Sequence, residues 1–346
     1  MITIKDIAKL AHVSTATVSY ILNGTKNISQ ETRERVMNVI EETNFSPNRI
    51  AQSLRINKTN SIGVLAEDIR GLPVPGIING ITEYMDSVGY NILLSDLRLL
   101  EKLYNRYGEI SNYKGKIKSA VDLLNNAQVD GIIYIGVHDR DIEGIIDSRD
   151  KPVVFSYCYT YNDADVYVTY DNMLAAYEIT KYLIDMNHER IAVIGGPTDS
   201  YPSIKRFDGF YKAMFENNLR YDYPGYIHAG DWEYKSGFDI AMELLNLKNP
   251  PTAIFAMNDL MAIGAIDAIQ KMGFSVPDDF SVVGFDDREF SSFTKPKLTT
   301  VSLPFKEIGY NSARLITDII NKVPLEKSGY VLPCKLIKRE TVCMLK

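Results

Sequence analysis

From Ser61 to Asp287 the chain keeps returning to one pattern, a short apolar run followed by a longer amphipathic stretch. The runs are "IGVLAE", "YNILLSD", "DGIIYIG", "PVVFSY", "RIAVIGG", "TAIFAMND" and "SVVGFDD". They lack the alternation of a half-exposed strand, so they read as strands buried on both faces, and the stretches between them, such as 76–88 and 172–186, read as helices. Strand–helix alternation of this kind predicts an α/β fold with parallel sheets, and the number of strands predicts two Rossmann-like subdomains.

A chain of 346 residues with 45% hydrophobic content can bury a sizeable core and form two or three domains. Its formal charge of -6 argues against indiscriminate coating of nucleic acid or anionic membrane. The average conceals an asymmetry, because residues 1–60 carry eight Lys/Arg against five Asp/Glu. Cys158, Cys334 and Cys343 stand alone, as reduced thiols acting as small apolar residues would. Lys5, Asp6 and Lys9 interrupt any signal-peptide core, and no stretch is apolar for long enough to span a membrane; the expected location is the cytoplasm.

The basic end has its own organisation. Thr3 and Asp6 form a capping-box pattern opening a helix to about Leu10, with Ile4, Ile7, Ala8 and Ala11 at helical spacing. Ser14 is the expected N-cap of a second helix that buries Val18, Ile21 and Leu22, leaves Thr15, Ala16, Thr17, Ser19 and Tyr20 outward, and ends at Asn23-Gly24. A third helix starts after Ser29 and turns Val36, Val39 and Ile40 inward. Such a unit is a helix-turn-helix. A helix that reads a major groove needs small residues in its first turn, because bulk there would hold the backbone away from the base edges. Thr15, Ala16 and Tyr20 are then the base-reading candidates, with Thr17 and Ser19 the phosphate donors. Three-helix units also serve as plain packing modules, and Ser/Thr at a helix start is often only a cap.

The next segment, "FSPNRIAQSLRINKTNS", offers one short helix from Asn48 to Arg55 after Pro47, with too little apolar surface to fold alone, and then a polar linker. Taken together, "TIKDIAKLAHVSTATVSYILNG", "SPNRIAQSL" and "TNSIGVL" resemble, in order and in register, the headpiece and hinge of the lactose/galactose (LacI/GalR) repressor family. The resemblance implies a homodimer on a pseudo-palindromic operator, with paired hinge helices that order on DNA. Leu54 would be the residue that wedges a central base step, and Arg49 and Arg55 would lie beside the minor groove and the backbone. It also implies a headpiece over 1–46, a hinge over 47–60, and an effector and dimerisation domain over 61–346. That domain would have the type I periplasmic-binding-protein architecture, one subdomain comprising about 62–160 and 293–323, the other about 161–292 and 324–346.

In such sheets the carboxyl ends of the strands face the ligand crevice. Here those ends carry Asp171 and Asn172, Asn258 and Asp259, and Asp286 and Asp287, with Arg206 just beyond "IGGPTDSYPSIK". These donors and acceptors suit a hydroxyl-rich ligand, although Asp or Asn after a strand is often only an N-cap. By resemblance, Arg206, Asn258 and Asp286 match sugar-contacting positions of the family and Asp171 a less uniform one, while Trp232, the single tryptophan, would face the apolar side of a pyranose. The implied function is a repressor of carbohydrate-utilisation genes relieved by a sugar. A catabolite-control-type regulator answering to a phosphoprotein corepressor and an exported solute-binding protein are the alternatives.

An enzyme is not expected. The adjacent Asp286 and Asp287 point apart in extended chain, His12, His138, His188 and His228 show no metal spacing, and "IGGP" is no phosphate loop, so neither metal nor cofactor is expected. Two departures from the family stand out: "RGLPVPG" replaces the usual stretch after the first strand, and residues 97–128 form a longer segment, which either caps the cleft or, as is rather expected, is a surface elaboration.

Overall fold

Helices form in the amino-terminal segment where apolar residues recur at a period near 3.6: α1 (Ile4–Leu10), α2 (Thr15–Asn23) and α3 (Gln30–Glu42). The computed structural model describes residues 2–23, 28–43, 45, 59–104, 106–147 and 151–346. The chain divides into two units, Met1–Thr59 and Asn60–Lys346. In the first, Ile7, Ala8, Ala11, Val18, Ile21 and Val36 are buried together. The expected hinge helix, with Arg49, Leu54 and Arg55, lies outside the described residues.

The second unit holds two parallel sheets. β1 (Ser61–Ala66), β2 (Asn91–Asp96), β3 (Gly131–Ile135), β4 (Val153–Ser156), β5 (Val166–Tyr170) and β11 (Gly329–Leu332) pair in the order β11-β5-β4-β3-β1-β2. β6 (Ile191–Gly195), β7 (Ile227–Ala229), β8 (Ala253–Ala256) and β9 (Ser281–Val283) pair in the order β7-β6-β8-β9. The seven apolar runs all lie on strands of these sheets. β3, β6, β8 and β9 are buried along their whole length, as expected of strands covered on both faces. β2 is the exception: it is an edge strand, and its Leu94 keeps 49% of its surface exposed.

The subdomain limits differ from those expected. β5 and β11 hydrogen-bond to each other in parallel register, Tyr167 against Gly329 through Tyr170 against Leu332, and both belong to the first sheet. Residues 166–170 and 329–332 therefore extend the first subdomain beyond the expected breaks after 160 and 323. Backbone pairing decides this, and single-strand apolarity cannot reveal it. Near the crossovers, β10 (Thr300–Ser302) and β12 (Lys335–Ile337) form an antiparallel pair.

Helices pack on these sheets: α4 (Val74–Val88), α5 (Leu100–Leu103), α6 (Lys114–Asn126), α7 (Asn172–Asp185), α8 (Tyr201–Glu216), α9 (Tyr234–Leu245), α10 (Asp259–Lys271) and α11 (Phe305–Ile320). α4 and α11 touch backbone to backbone through two reciprocal glycines. A Cβ on Gly80 would collide with the carbonyl oxygen of Lys306, and one on Gly309 with that of Ile77. Because the obstacle is main chain, no rotamer change relieves it. Gly309→Ala gains about 1 kcal/mol of helix propensity, but overpacking costs about 1–3 kcal/mol or more. The expected net effect is a loss of about 2 kcal/mol, read as a lower denaturation midpoint in guanidinium chloride with the slope unchanged.

Candidate functional site

In the first unit, Thr3 and Asp6 close a reciprocal capping box, the Asp6 carboxylate accepting from the Thr3 amide at 2.9 Å while the Asp6 amide donates to the Thr3 hydroxyl at 3.4 Å. His12 adopts a left-handed φ of 51°, which turns the chain sharply into α2. Ser14 caps α2, its Oγ accepting from the Thr17 amide at 3.0 Å. The Thr17 hydroxyl shares a second hydrogen bond with Ser14 Oγ at 2.9 Å, so it supports the cap as well as facing outward. Thr15 and Ala16 are exposed and Ser19 and Tyr20 half-buried, while Val18 and Ile21 hold the opposite side in the core. The helix therefore presents a small, hydroxyl-bearing first turn on a rigid three-helix base.

In the second unit the loops after the strand ends enclose a cleft of about 370 Å³. At its base lies Arg206, only 3% exposed. Its Nε donates to Asn172 Oδ1 at 2.9 Å and its Nη2 to the Tyr170 hydroxyl at 3.1 Å, while Nη1 donates to the Met257 carbonyl. The guanidinium carbon lies 3.7 Å from the centroid of the Phe285 ring and 5.6 Å from that of Trp232. Asp286 Oδ1 is 3.8 Å from Nη2. Arg206 thus joins the end of β5 to the loops after β8 and β9, and it is positioned to add charge and direction to whatever carboxylate or hydroxyl enters.

Three further features shape this floor. Asn258 is both cap and clamp: its Oδ1 accepts from the Met261 amide at 2.8 Å and its Nδ2 donates to the Trp232 carbonyl at 2.7 Å. Trp232 takes a left-handed φ of 71° and lies against Gly196, where a Cβ would collide with its ring. Its indole Nε1 is buried with no partner among the described residues, an omission that ordinarily costs about 1–3 kcal/mol and that a ligand acceptor would repair. Asp286 has a φ of 112°, strain of the kind concentrated at functional sites. Burial raises its carboxyl to about 6, although Arg206 and Arg288 favour the charged form.

The opposite wall was not legible in advance. His138, just after β3, is held neutral by burial and by the nearby charges of Arg140 and Arg206. Its Nε2 shares a hydrogen bond with Ser200 Oγ across the cleft at 3.0 Å. Tyr107 stacks on His138, ring centroids 4.0 Å apart and planes at 11°. Tyr107 belongs to the long 97–128 segment, which supplies Leu100, Glu101 and Tyr104 to the lining as well. The segment is a cleft wall and not the expected surface elaboration. Asp68 fixes it, accepting from Leu100 N at 3.1 Å and from Arg70 Nε and Nη2 at 3.0 and 2.9 Å, and these bonds to Arg70 lower its carboxyl. Arg70, Leu72 and Pro73 of "RGLPVPG" complete that rim.

Arg206, Trp232, Asn258 and Asp286 are brought together as expected, but Asp171 is not among them. It caps α7, accepting from Leu174 N at 2.8 Å, and lines a second cavity that shares Tyr170 with the cleft. His138, Tyr157 and Tyr170 line the cleft as well, and all sit at or just past carboxyl ends of strands, the same position that marks Asp286, but as ring residues they lack the carboxylate or amide that marks a polar strand end in sequence. Among the described residues no cluster of His, Cys, Asp and Glu suits a metal ion, and no helix is long and apolar enough to cross a membrane.

Residues 3–48 match the model described as bacterial regulatory proteins, lacI family, and residues 180–342 that of a periplasmic binding protein-like domain. The chain is 33% identical over 344 residues, 99% of each chain, to the HTH-type transcriptional repressor PurR of Histophilus somni. It superposes on the lac repressor dimer bound to operator and the anti-inducer ONPF with a TM-score of 0.80 at 29% identity, covering 99% of both chains. It superposes on the transcriptional regulator CelR in complex with cellobiose with a TM-score of 0.66 at 28% identity, covering 99% of this chain and 100% of that one.

The cleft floor has a measurable stability cost. With the Asp286 carboxyl raised from 3.8 to about 6, the fold favours its protonated form. That contribution is full below about 4 and is lost as pH rises through about 6. Asp286→Asn is expected to match the parent near pH 4 and to exceed it by about 1–3 kcal/mol at pH 7, measured by denaturant unfolding at the two pH values. Equal stabilities at pH 7 would contradict the burial argument.

Proposed function

The chain belongs to the LacI family of bacterial regulatory proteins and is a DNA-binding transcriptional repressor, not an enzyme; from that premise we propose that a carbohydrate bound in the cleft sets its affinity for operator DNA. The observation that carries the reading is the grouping of Trp232, Arg206 and Asp286, with a buried, unpaired indole N–H in the wall of the cleft. An aromatic face packs on the C–H face of a sugar ring, and a carboxylate and a guanidinium take vicinal hydroxyls in pairs. The cleft volume lies within the range of small-molecule sites, about 300–1,000 Å³. The likeness to a regulator complexed with cellobiose supports the same class.

A planar heterocycle is the second reading, favoured by the Tyr107–His138 stack and by the aromatic rings of Tyr157, Tyr170 and Trp232 around one cavity. Trp232, the single tryptophan, makes the choice measurable. Titration with mono- and disaccharides is expected to change its fluorescence saturably, with no response to free nucleobases; the reverse outcome selects the heterocycle.

Operator binding is assigned to α2. Thr15, Ala16 and Tyr20 set base preference and Thr17 and Ser19 contact phosphates, with two copies of the chain reading two half-sites, as in the operator-bound lac repressor dimer. Arg49, Leu54 and Arg55 belong to the same proposal, as the hinge residues that meet the minor groove. The effector acts by favouring one arrangement of the two sheets, and an effector can shift that balance only by its differential affinity. Saturating sugar is expected to change operator affinity by about 5- to 150-fold. Asp286→Ala is expected to abolish that change while leaving ligand-free operator affinity intact, as gel-shift titration with and without sugar would show. Replacing Thr15, Ala16 and Tyr20 together is expected to redirect the preferred site in a binding-selection experiment, with nonspecific affinity and its salt slope nearly intact.

A further inference from the structure

The segment 157–170, "YCYTYNDADVYVTY", brings tyrosines to a place that the cleft does not use. Beside the crossover at residues 170–172 lies a second cavity of about 220 Å³. Four of its rings stand as inclined walls, not as a stack: Tyr159 meets Tyr161 at 5.4 Å and 80°, Tyr167 at 6.3 Å and 57°, and Tyr201 at 4.7 Å and 49°. Two carboxylates line the same space. Asp139, 1% exposed, accepts from Thr169 Oγ1 at 3.0 Å and from Asn172 Nδ2 at 2.9 Å, and Asp171 holds the start of α7 with Oδ1 alone. Among the described residues the lining contains one cation, Lys205, whose Nζ already pairs with Asp208 at 3.2 Å. That ammonium lies 5.7 Å from the centroid of the Tyr201 ring, so a ring of this cavity already carries a positive charge near its face.

We propose that this cavity is a second ligand site, selective for a compact organic ammonium ion. Tyrosine faces attract a cation through the ring quadrupole, most strongly when water is excluded. Asp171 supplies an opposite charge, and a bound cation favours the charged form of Asp139, whose carboxyl burial raises to about 7. An anion meets Asp139 and Asp171, and a neutral ligand gains nothing from them. The site connects to the cleft through named bonds. Asp139 holds Asn172 Nδ2, Asn172 Oδ1 accepts from Arg206 Nε at 2.9 Å, and Arg206 lies over Trp232, while Tyr170 lines both cavities. A cation beside Asp139 therefore changes the field and the hydrogen bonding at the floor of the effector cleft. The inference stands whether or not the cleft ligand is a sugar.

The experiment titrates the full chain with tetramethylammonium chloride by calorimetry, using sodium chloride as the ionic control and tert-butanol as the uncharged control of similar shape. The expected result is saturable binding of tetramethylammonium alone, with a change in Trp232 fluorescence. Two variants test the walls separately. Asp171→Asn keeps a good N-cap and so keeps the fold while removing one charge, and Tyr159→Leu removes one ring. Tyr159→Leu is expected to weaken binding by about 2- to 30-fold, the range of one cation–π contact, and Asp171→Asn by about 2- to 5-fold, the range of one partly exposed charge pair. Binding no better than that of sodium chloride, or equal binding by the parent and Asp171→Asn, overturns the site. Saturable binding that leaves Trp232 fluorescence unchanged overturns the link to the cleft.

Discussion

A guanidinium sealed away from water must have its charge and its donors met locally, and Arg206 organises the ligand-binding unit around that requirement. Asn172 and Tyr170 answer it from the first sheet and the crossover, Met257 and Asp286 from the second, and Phe285 offers its ring face. Removing the Asn172 or Tyr170 acceptor leaves a buried donor of that charge unpaired, a loss of about 1–3 kcal/mol or more. The two sheets are therefore joined at the cleft by Arg206 from below and by the His138–Ser200 bond across it. The bonds that line the cleft floor are thus the same ones that link the two sheets.

The floor is costly to fold. Asp286 sits at a φ of 112° with its carboxyl raised to about 6, and Asp259 beside it is raised to about 8, first by burial and then by the Asp286 charge. Asp259 is nonetheless held in place, accepting from Thr300 Oγ1 at 2.5 Å and from Arg288 N at 2.7 Å. Burial thus keeps Asp259 largely protonated at neutral pH, which avoids two adjacent charges in a dry site. Reciprocal backbone contact of the kind seen at Gly80 and Gly309, repeated by Gly237 and Gly264 between α9 and α10, provides the rigid frame on which such strain can persist.

Much of this was legible from residues alone where a local rule applied. The apolar runs marked the principal strands, because a strand covered on both faces has no polar alternation to confuse it. Thr3, Asp6 and Ser14 marked helix starts, because capping chemistry is local. Arg206, Trp232, Asn258 and Asp286 were legible as cleft residues through strand-end position and family likeness. The rest depended on distance in space. Asp171 looked equivalent to Asn258, both following a strand, yet it lines the tyrosine cavity; Tyr107 and His138 lie some thirty residues apart and meet in space in a segment that Asp68 ties at Leu100 and that buries Leu97, Leu99, Leu103 and Ile110.

By itself, then, the sequence determined the class of the protein: a three-helix reading unit with a small first turn on α2, followed by parallel α/β sheets with polar strand ends. Each of these follows from periodicity, capping or residue size within a short window. Tertiary structure alone decided where the subdomains divide, that the 97–128 segment forms a wall of the cleft, and which strand-end carboxylates share a cavity. Those outcomes rest on β5 pairing with β11 across the chain and on a buried arginine collecting partners from separate loops. Pairings of that kind are settled by the free energy of the assembled core, which no local window contains.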